Sequence, residues 1–272
     1  MTQVWVLTDE RYLTQRMPSA LVDWLQARGV DVQVACPDTS VLEVAAEGEP
    51  WSSLARAGVV VTRSRHPLTL AVLAGLPDFV PALPAAGPVA RVRDKVEVAR
   101  TLARCDVPAP PTLVAAGAPA FRSLPSSWFP LVVKPQFGDN ARGVTVVRGP
   151  DELEDIPPGD GLAVAQPYLD AGGIDLKLYL AGEATWAVRR PSPIHGGAGG
   201  TSELCAVSED LRTLALRCRK GFDLDLLGLD VLETAAGPYV VDVNEFPNYT
   251  GVEEAPAVIG ELVLARLGGD GP

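Results

Sequence analysis

Residues 239–247 read Tyr-Val-Val-Asp-Val-Asn-Glu-Phe-Pro, and this stretch constrains the fold more than any other. Tyr239, Val240 and Val241 are aromatic or β-branched, the composition of a buried strand. Side chains alternate faces along a strand, so Asp242 and Asn244 project to the same side at its end, just before a Pro-Asn turn. A second apolar run, residues 227–231, is interrupted in the same way by Asp230. An acid inside an apolar strand is costly to bury unless it is paired or bound to metal. Taken singly, such an acid more often caps a turn or pairs with an arginine. Three oxygen donors on two neighbouring strands favour a hard cation, Mg²⁺ or Mn²⁺, held by Asp230, Asp242 and Asn244.

The 272 residues suffice for one large domain or two to three small ones, and 47% hydrophobic content argues against disorder. No apolar run reaches membrane-spanning length and the N-terminus has no basic signal-like region, which suggests a cytoplasmic protein. Cys36, Cys105, Cys205 and Cys218 are scattered without Cys-x-x-Cys spacing and read as reduced thiols rather than a zinc or disulfide framework. A net charge of −11 argues against nucleic acid and anionic membranes as partners and leaves a small molecule or peptide, with oligomerisation open.

Strands at residues 4–7, 30–35 and 58–62 alternate with helical patterns at 18–28 and 67–74, which predicts a small parallel sheet. Residues 81–88, rich in Pro, Ala and Gly, read as a linker. A helix follows to about residue 104, with Asp94 as its N-cap. Strands at 131–134, 144–147 and 163–166 form a small antiparallel module, and 174–180 with 184–189 form a hairpin. Helices at 208–221 and 257–267 flank the two acid-bearing strands. The expected organisation is an N-terminal α/β domain, 1–88, and a second unit, 89–272, divided into a small lobe near 110–168 and a large lobe near 169–272.

Only four lysines occur, and three stand where a phosphate chain would be held. Lys134 ends an apolar strand and leads into a loop bounded by Gly138 and Gly143, whose backbone N–H groups suit phosphate oxygens. The Gly-x-x-x-x-Gly-Lys-Ser/Thr loop is absent. Asp175, Lys177 and Tyr179 share one strand face, and Arg190 follows the next strand, so Lys177 and Arg190 converge on one anionic group. Each feature alone suits an ordinary hairpin; together they describe a phosphoryl-transfer site.

On these residues the chain resembles the ATP-grasp enzymes over nearly its whole length. Val132-Val133-Lys134-Pro135 with its glycine loop resembles the family's phosphate-binding hairpin, and Gln166-Pro167-Tyr168-Leu169 its adenine-reading hinge. Asp175-Leu176-Lys177 matches the Asp-x-Arg/Lys strand, Lys95 the lysine that reaches ATP from the preceding subdomain, and Asp230, Asp242 and Asn244 the metal-bearing strands. The resemblance implies an α/β ATP-grasp fold: a parallel-sheet domain followed by two α+β lobes that clasp ATP with Mg²⁺. Lys177 and Arg190 are then catalytic, and Ser192 joins the nucleotide-binding set. Glutamate-adding ligases are similar in overall plan and in Arg189-Arg190, although they more usually carry Glu-x-Asn at 242–244. Inositol-phosphate kinases of the same fold are similar around residues 176–183 and 242–252, but their phosphate-loop histidine has no counterpart here. The first kinship implies a carboxylate–amine (or thiol) ligase working through an acyl phosphate. The second implies a kinase for a hydroxyl of an inositol phosphate-like or other polyol.

Arg63 and Arg65, beside His66 at a strand end, are candidates for an anionic acceptor, and Gly251, in the run similar to the kinases, is a further substrate-side candidate. His195, in a glycine-rich segment at 191–200, is either a general base or an incidental loop residue, and the segment itself reads as a lid. The five tryptophans read as packing residues.

Overall fold

The computed structural model describes residues 3–41, 51–138, 141–157, 159, 161–192 and 201–269. The N-terminal part comprises β1 (Val4–Thr8), α1 (Arg16–Gln26), β2 (Val32–Ala35), α2 (Trp51–Leu54), β3 (Val59–Arg63), α3 (Pro67–Ala74) and β4 (Ala82–Leu83). Its strands run parallel in the order β2-β1-β3-β4. Parallel strands present their C-terminal ends along one edge, which places Asp9, Arg63 and Ser64 together.

The expectation of a linker at 81–88 needs correction. Ala82 and Leu83 pair with Val60 and Val61, and α4 (Ala86–Arg93) starts at Ala86. Burial explains the difference: Leu83, Val89 and Val92 are core residues, and the proline at 88 falls in the helix's first turn, where no intrahelical N–H is required. Asp94 then caps α5 (Lys95–Arg104), its Oδ1 accepting from the backbone N–H of Val96 at 2.8 Å. This agrees with the sequence and fixes the direction in which Lys95 leaves the helix.

The small lobe is an antiparallel sheet ordered β5-β8-β6-β7, from β5 (Leu113–Ala115), β6 (Leu131–Pro135), β7 (Thr145–Val147) and β8 (Ala163–Pro167). Leu131, Val133, Val147, Leu153 and Phe121 form its core. The large lobe holds β9 (Ile174–Ala181), β10 (Ala184–Pro191), β11 (Glu203–Cys205), α6 (Glu209–Phe222), β12 (Leu226–Thr234), β13 (Gly237–Asn244) and α7 (Ala255–Leu267). Its strands are ordered β11-β10-β9-β12-β13, all antiparallel.

β9 shows how alternation builds two different surfaces. Leu176, Leu178 and Leu180 enter a core shared with α5 and α6. Asp175, Lys177 and Tyr179 face the opposite side and line a cleft, as their shared face predicts. The core beneath Tyr179 is continuous with the N-terminal sheet: Val4, Val6, Leu21 and Leu25 pack with Tyr249, Ile259 and Val263. Helices α1 and α7 meet where Gly260 leaves room for the Trp24 indole; a Cβ there would lie 2.1 Å from the ring. Among the described residues no helix is long and apolar enough to cross a membrane.

Candidate active site

The cleft where the parallel sheet and both lobes meet is a cavity of about 460 Å³. Its acidic floor comes from a register irregularity. Asp230 pairs with Asp242, but the next residue, Val231, pairs with Val240, so Val241 is an extra residue in β13. The bulge lets Val240 and Val243 both enter the core while Asp242 and Asn244 face the cleft. It also turns out the Val241 carbonyl, which accepts from Lys134 Nζ at 3.0 Å. Lys134 was expected to serve the glycine loop; it reaches across the cleft to the other lobe instead.

Every donor in the floor has a cation on it. Lys95 Nζ lies 3.0 Å from Asp242 Oδ1, and Lys177 Nζ lies 2.5 Å from Asp230 Oδ2 and 3.9 Å from Asp175 Oδ2. Arg65 donates to Asn244 Oδ1 and lies 3.9 Å from buried Glu245. Burial opposes the charge on Asp242, yet Lys95, Lys134 and Arg65 hold its carboxyl below the ordinary carboxylate range. Burial pushes the Lys134 ammonium down to about 8, Asp242 opposing and Lys95 reinforcing the shift.

The Lys134 shift has a testable consequence. A nearby phosphate favours the ammonium and raises its pKa, so nucleotide binding near pH 8 to 9 is expected to take up a proton. Nucleotide affinity should therefore fall as pH rises through about 8, by up to roughly tenfold per pH unit. Calorimetry in buffers of different ionisation enthalpy reads the proton directly. Lys134→Met should bind nucleotide more weakly at pH 7 and lose this pH dependence. The empty protein should show the reverse sign. The lysine pKa is depressed on folding, so the unfolded chain holds more protons above pH 8 and this group's contribution to stability rises with pH.

Pro110, Val132, Val144, Leu169 and Leu232 give the cavity its apolar lining, and Gln166, which also lines it, donates to Thr112 Oγ1 at 2.9 Å. Gly138 and Gly143 fold over Pro135; a Cβ on Gly138 would lie 3.0 Å from the proline ring, and Gly143 has φ +71°. Tyr12, Gln15 and Arg63 cluster in the same lining, which also includes Arg190 and Asn248. Thus Lys95, Lys134, Gly138, Gln166, Leu169, Asp175, Lys177, Arg190, Asp230, Asp242 and Asn244 all reach one cavity, together with Arg63 and Arg65.

Gly143, Tyr168, Ser192 and Gly251 do not line the cavity. Gly251 packs near Val188, while Ser192 is fully buried, its Oγ meeting no hydrogen-bond partner among the described residues. His195 and all but the first two residues of the lid reading for 191–200 lie outside the described residues; of those two, Pro191 ends β10 and Ser192 is buried. Tyr12, Gln15 and Asn248 were not anticipated. The available signal was position: Tyr12 and Gln15 follow the C-terminal end of the first parallel strand, where α/β sheets place ligands.

The site suits a Mg-nucleotide on its donor chemistry. Lys134 is a buried cation whose near contact is a carbonyl, which leaves charge for a phosphate to neutralise. Two carboxylates and an amide oxygen are a partial ligand set for Mg²⁺, which ordinarily takes one or two protein carboxylates and completes its sphere with phosphate and water. Among the described residues no group of three or more His, Cys, Asp or Glu side chains is placed to hold a metal alone.

The profile of the RimK-like ATP-grasp domain matches residues 92–260. A probable alpha-L-glutamate ligase from Aeromonas salmonicida is 29% identical over 280 residues, covering 93% of this chain and 91% of that protein. One of the same name from Shewanella loihica is 27% identical over 180 residues, 61% of this chain and 60% of its own length. The chain thus spans about 60% of the length of some curated relatives it matches. Among solved structures, the RimK domain ATP-grasp protein from Sphaerobacter thermophilus superposes with a TM-score of 0.77 at 22% identity, covering 97% of this chain and 100% of that one. D-cycloserine synthetase DcsG gives 0.76 at 20% identity, covering 97% and 99% of the two chains. The ATP-grasp ligase PsnB with a precursor peptide and AMPPNP gives 0.70 at 18%, covering 98% and 97%.

Proposed function

The chain belongs to the RimK-like ATP-grasp family, whose named relatives are ligases, and from that premise we propose that it is an ATP-dependent carboxylate–amine (or thiol) ligase. The observation that carries this reading is the cavity's lining, which combines apolar residues, acids paired with cations, and the Arg63 and Arg190 guanidiniums; we take the apolar residues as the nucleotide slot and the Arg63 side as the acceptor end. The apolar slot takes the base. Lys95 and Lys134 bind the phosphates that are not transferred, and Lys177 and Arg190 neutralise the moving phosphoryl group. When bound, Mg²⁺ (or Mn²⁺) on Asp230, Asp242 and Asn244 offsets charge on the phosphate chain. An acceptor carboxylate oxygen attacks the terminal phosphorus and ADP leaves; the amine then attacks the acyl carbon and expels inorganic phosphate.

On this reading residues 1–88 contribute Tyr12, Gln15, Arg63 and Arg65 to the acceptor side, where Arg190 and Asn248 of the 89–272 unit join them, and 89–272 supplies the nucleotide side. A need for ATP supports a cytoplasmic setting. The acceptor is a small molecule or a peptide, in keeping with the peptide-bound PsnB structure. The alternative, a kinase for an inositol phosphate or polyol, calls for a dense cationic acceptor end. Of the three arginines there, Arg65 is engaged by Asn244 and Glu245, which favours a carboxylate over a polyphosphate. An ADP-release screen over amino acids, dipeptides and polyol phosphates tests this. ADP release that needs both a carboxylate and an amine is the expected result; release with a polyol alone would replace the ligase by the kinase.

A further inference from the structure

Arg63 ends β3, is 7% exposed, and lines the acceptor end of the cleft. Its contacts contain no carboxylate in ion-pair range among the described residues. Nη2 donates to the Gln15 amide oxygen at 2.9 Å, and the guanidinium lies over the Tyr12 ring, 4.2 Å from its centroid. Arg11 stacks near the same ring at 4.6 Å. Nε and Nη1 of Arg63 are buried and meet no hydrogen-bond acceptor among the described residues. Burial pushes the guanidinium down to about 10, although it stays protonated at neutral pH. The contrast with its neighbours is direct: Lys95 and Lys177 each sit on an aspartate, and Arg65 sits on Asn244 beside Glu245.

A buried cation with unsatisfied donors is unfavourable for a fold and is retained where it serves a ligand. Tyr12 and Gln15 hold the guanidinium in place without neutralising it, as a preformed anion subsite requires. Resting on the ligase reading, we propose that Arg63 binds a second carboxylate of the acceptor, one that is not activated. The acceptor is then a dicarboxylate, with one carboxylate brought to the phosphoryl group near Lys177 and Arg190 and the other anchored at Arg63.

The test uses the full chain with Mg-ADP filling the nucleotide end and follows thermal unfolding with glutarate, butyrate or inorganic phosphate added. Glutarate should raise the melting temperature clearly more than butyrate. Arg63→Met should abolish the glutarate increment while leaving the Mg-ADP increment intact. Without glutarate, Arg63→Met should melt at or above the parent temperature, because it removes a buried charge whose Nε and Nη1 have no acceptor among the described residues, Glu245 and Asp9 attracting it only at longer range. Arg63→Lys should retain only a small part of the increment, since it keeps charge but loses the stacked fork. Equal increments from glutarate and butyrate, an unchanged glutarate increment in Arg63→Met, or stabilisation by phosphate and not glutarate would each overturn the dicarboxylate subsite. A lower melting temperature for ligand-free Arg63→Met would mark the arginine as structural and overturn it as well. Failure of Mg-ADP to stabilise any variant would strike the ligase reading itself, so the two failures are distinguishable.

Discussion

Asp242→Asn is expected to lower turnover by about a thousandfold, ~4 kcal/mol of transition-state stabilisation, in an ADP-release assay. Asparagine keeps the shape and one oxygen but removes the charge that Lys95 and Lys134 share and that the proposed Mg²⁺ would use. The effect on folding runs the same way and is smaller. Lys95, Lys134 and Arg65 hold the Asp242 carboxyl below its ordinary range, so its ionised form contributes stability at neutral pH. That contribution is lost as pH falls through the depressed folded value, and the asparagine variant lacks it at every pH. Lys95 and Lys134 then face each other with no shared anion, which makes the cavity more cationic. Metal-free nucleotide should bind the variant at least as tightly as the parent, while the gain from adding Mg²⁺ should largely disappear. Turnover within about twofold of the parent would remove Asp242 from the metal set.

Much of this site was legible because strand alternation is rigid. Asp175, Lys177 and Tyr179 had to share a face once residues 174–180 were read as a strand, and they do. Asp94 was readable as a cap from its place before α5. Three features were not readable, each for a physical reason. The linker expectation at 81–88 followed Pro and Ala content, but burial of Leu83 and Val89 outweighed local propensity. The bulge at Val241 has no composition signal, since valine suits either a regular or a bulged strand, yet it creates the carbonyl that Lys134 uses. The Arg63–Tyr12–Gln15 cluster joins residues about fifty positions apart, and only the parallel pairing of β1 with β3 brings them together.

Lys177→Met should be the most destabilising single change in the cleft, at about 3 kcal/mol by urea unfolding. Lys177 is 5% exposed, 2.5 Å from Asp230 Oδ2 and 3.9 Å from Asp175 Oδ2. Methionine fills similar volume, so the loss comes from charge: two carboxylates on neighbouring strands are left without their shared cation. A second substitution separates the terms. Asp230→Asn alone should also destabilise, by removing the lysine's nearer partner, whereas the Lys177→Met/Asp230→Asn double variant should recover roughly half the loss, because one of the two stranded acids is gone. Turnover should not recover with it. On the proposed mechanism the parent pair has two tasks, Lys177 neutralising the transferring phosphoryl group and Asp230 contributing to the metal set, so the double variant should stay at least about a hundredfold below the parent. A double variant as unstable as Lys177→Met would show that Asp175, not Asp230, carries the dependence on the lysine. One that regained both stability and turnover would confine the pair to holding β9 against β12, and the phosphoryl charge would then fall to Arg190 and Lys95.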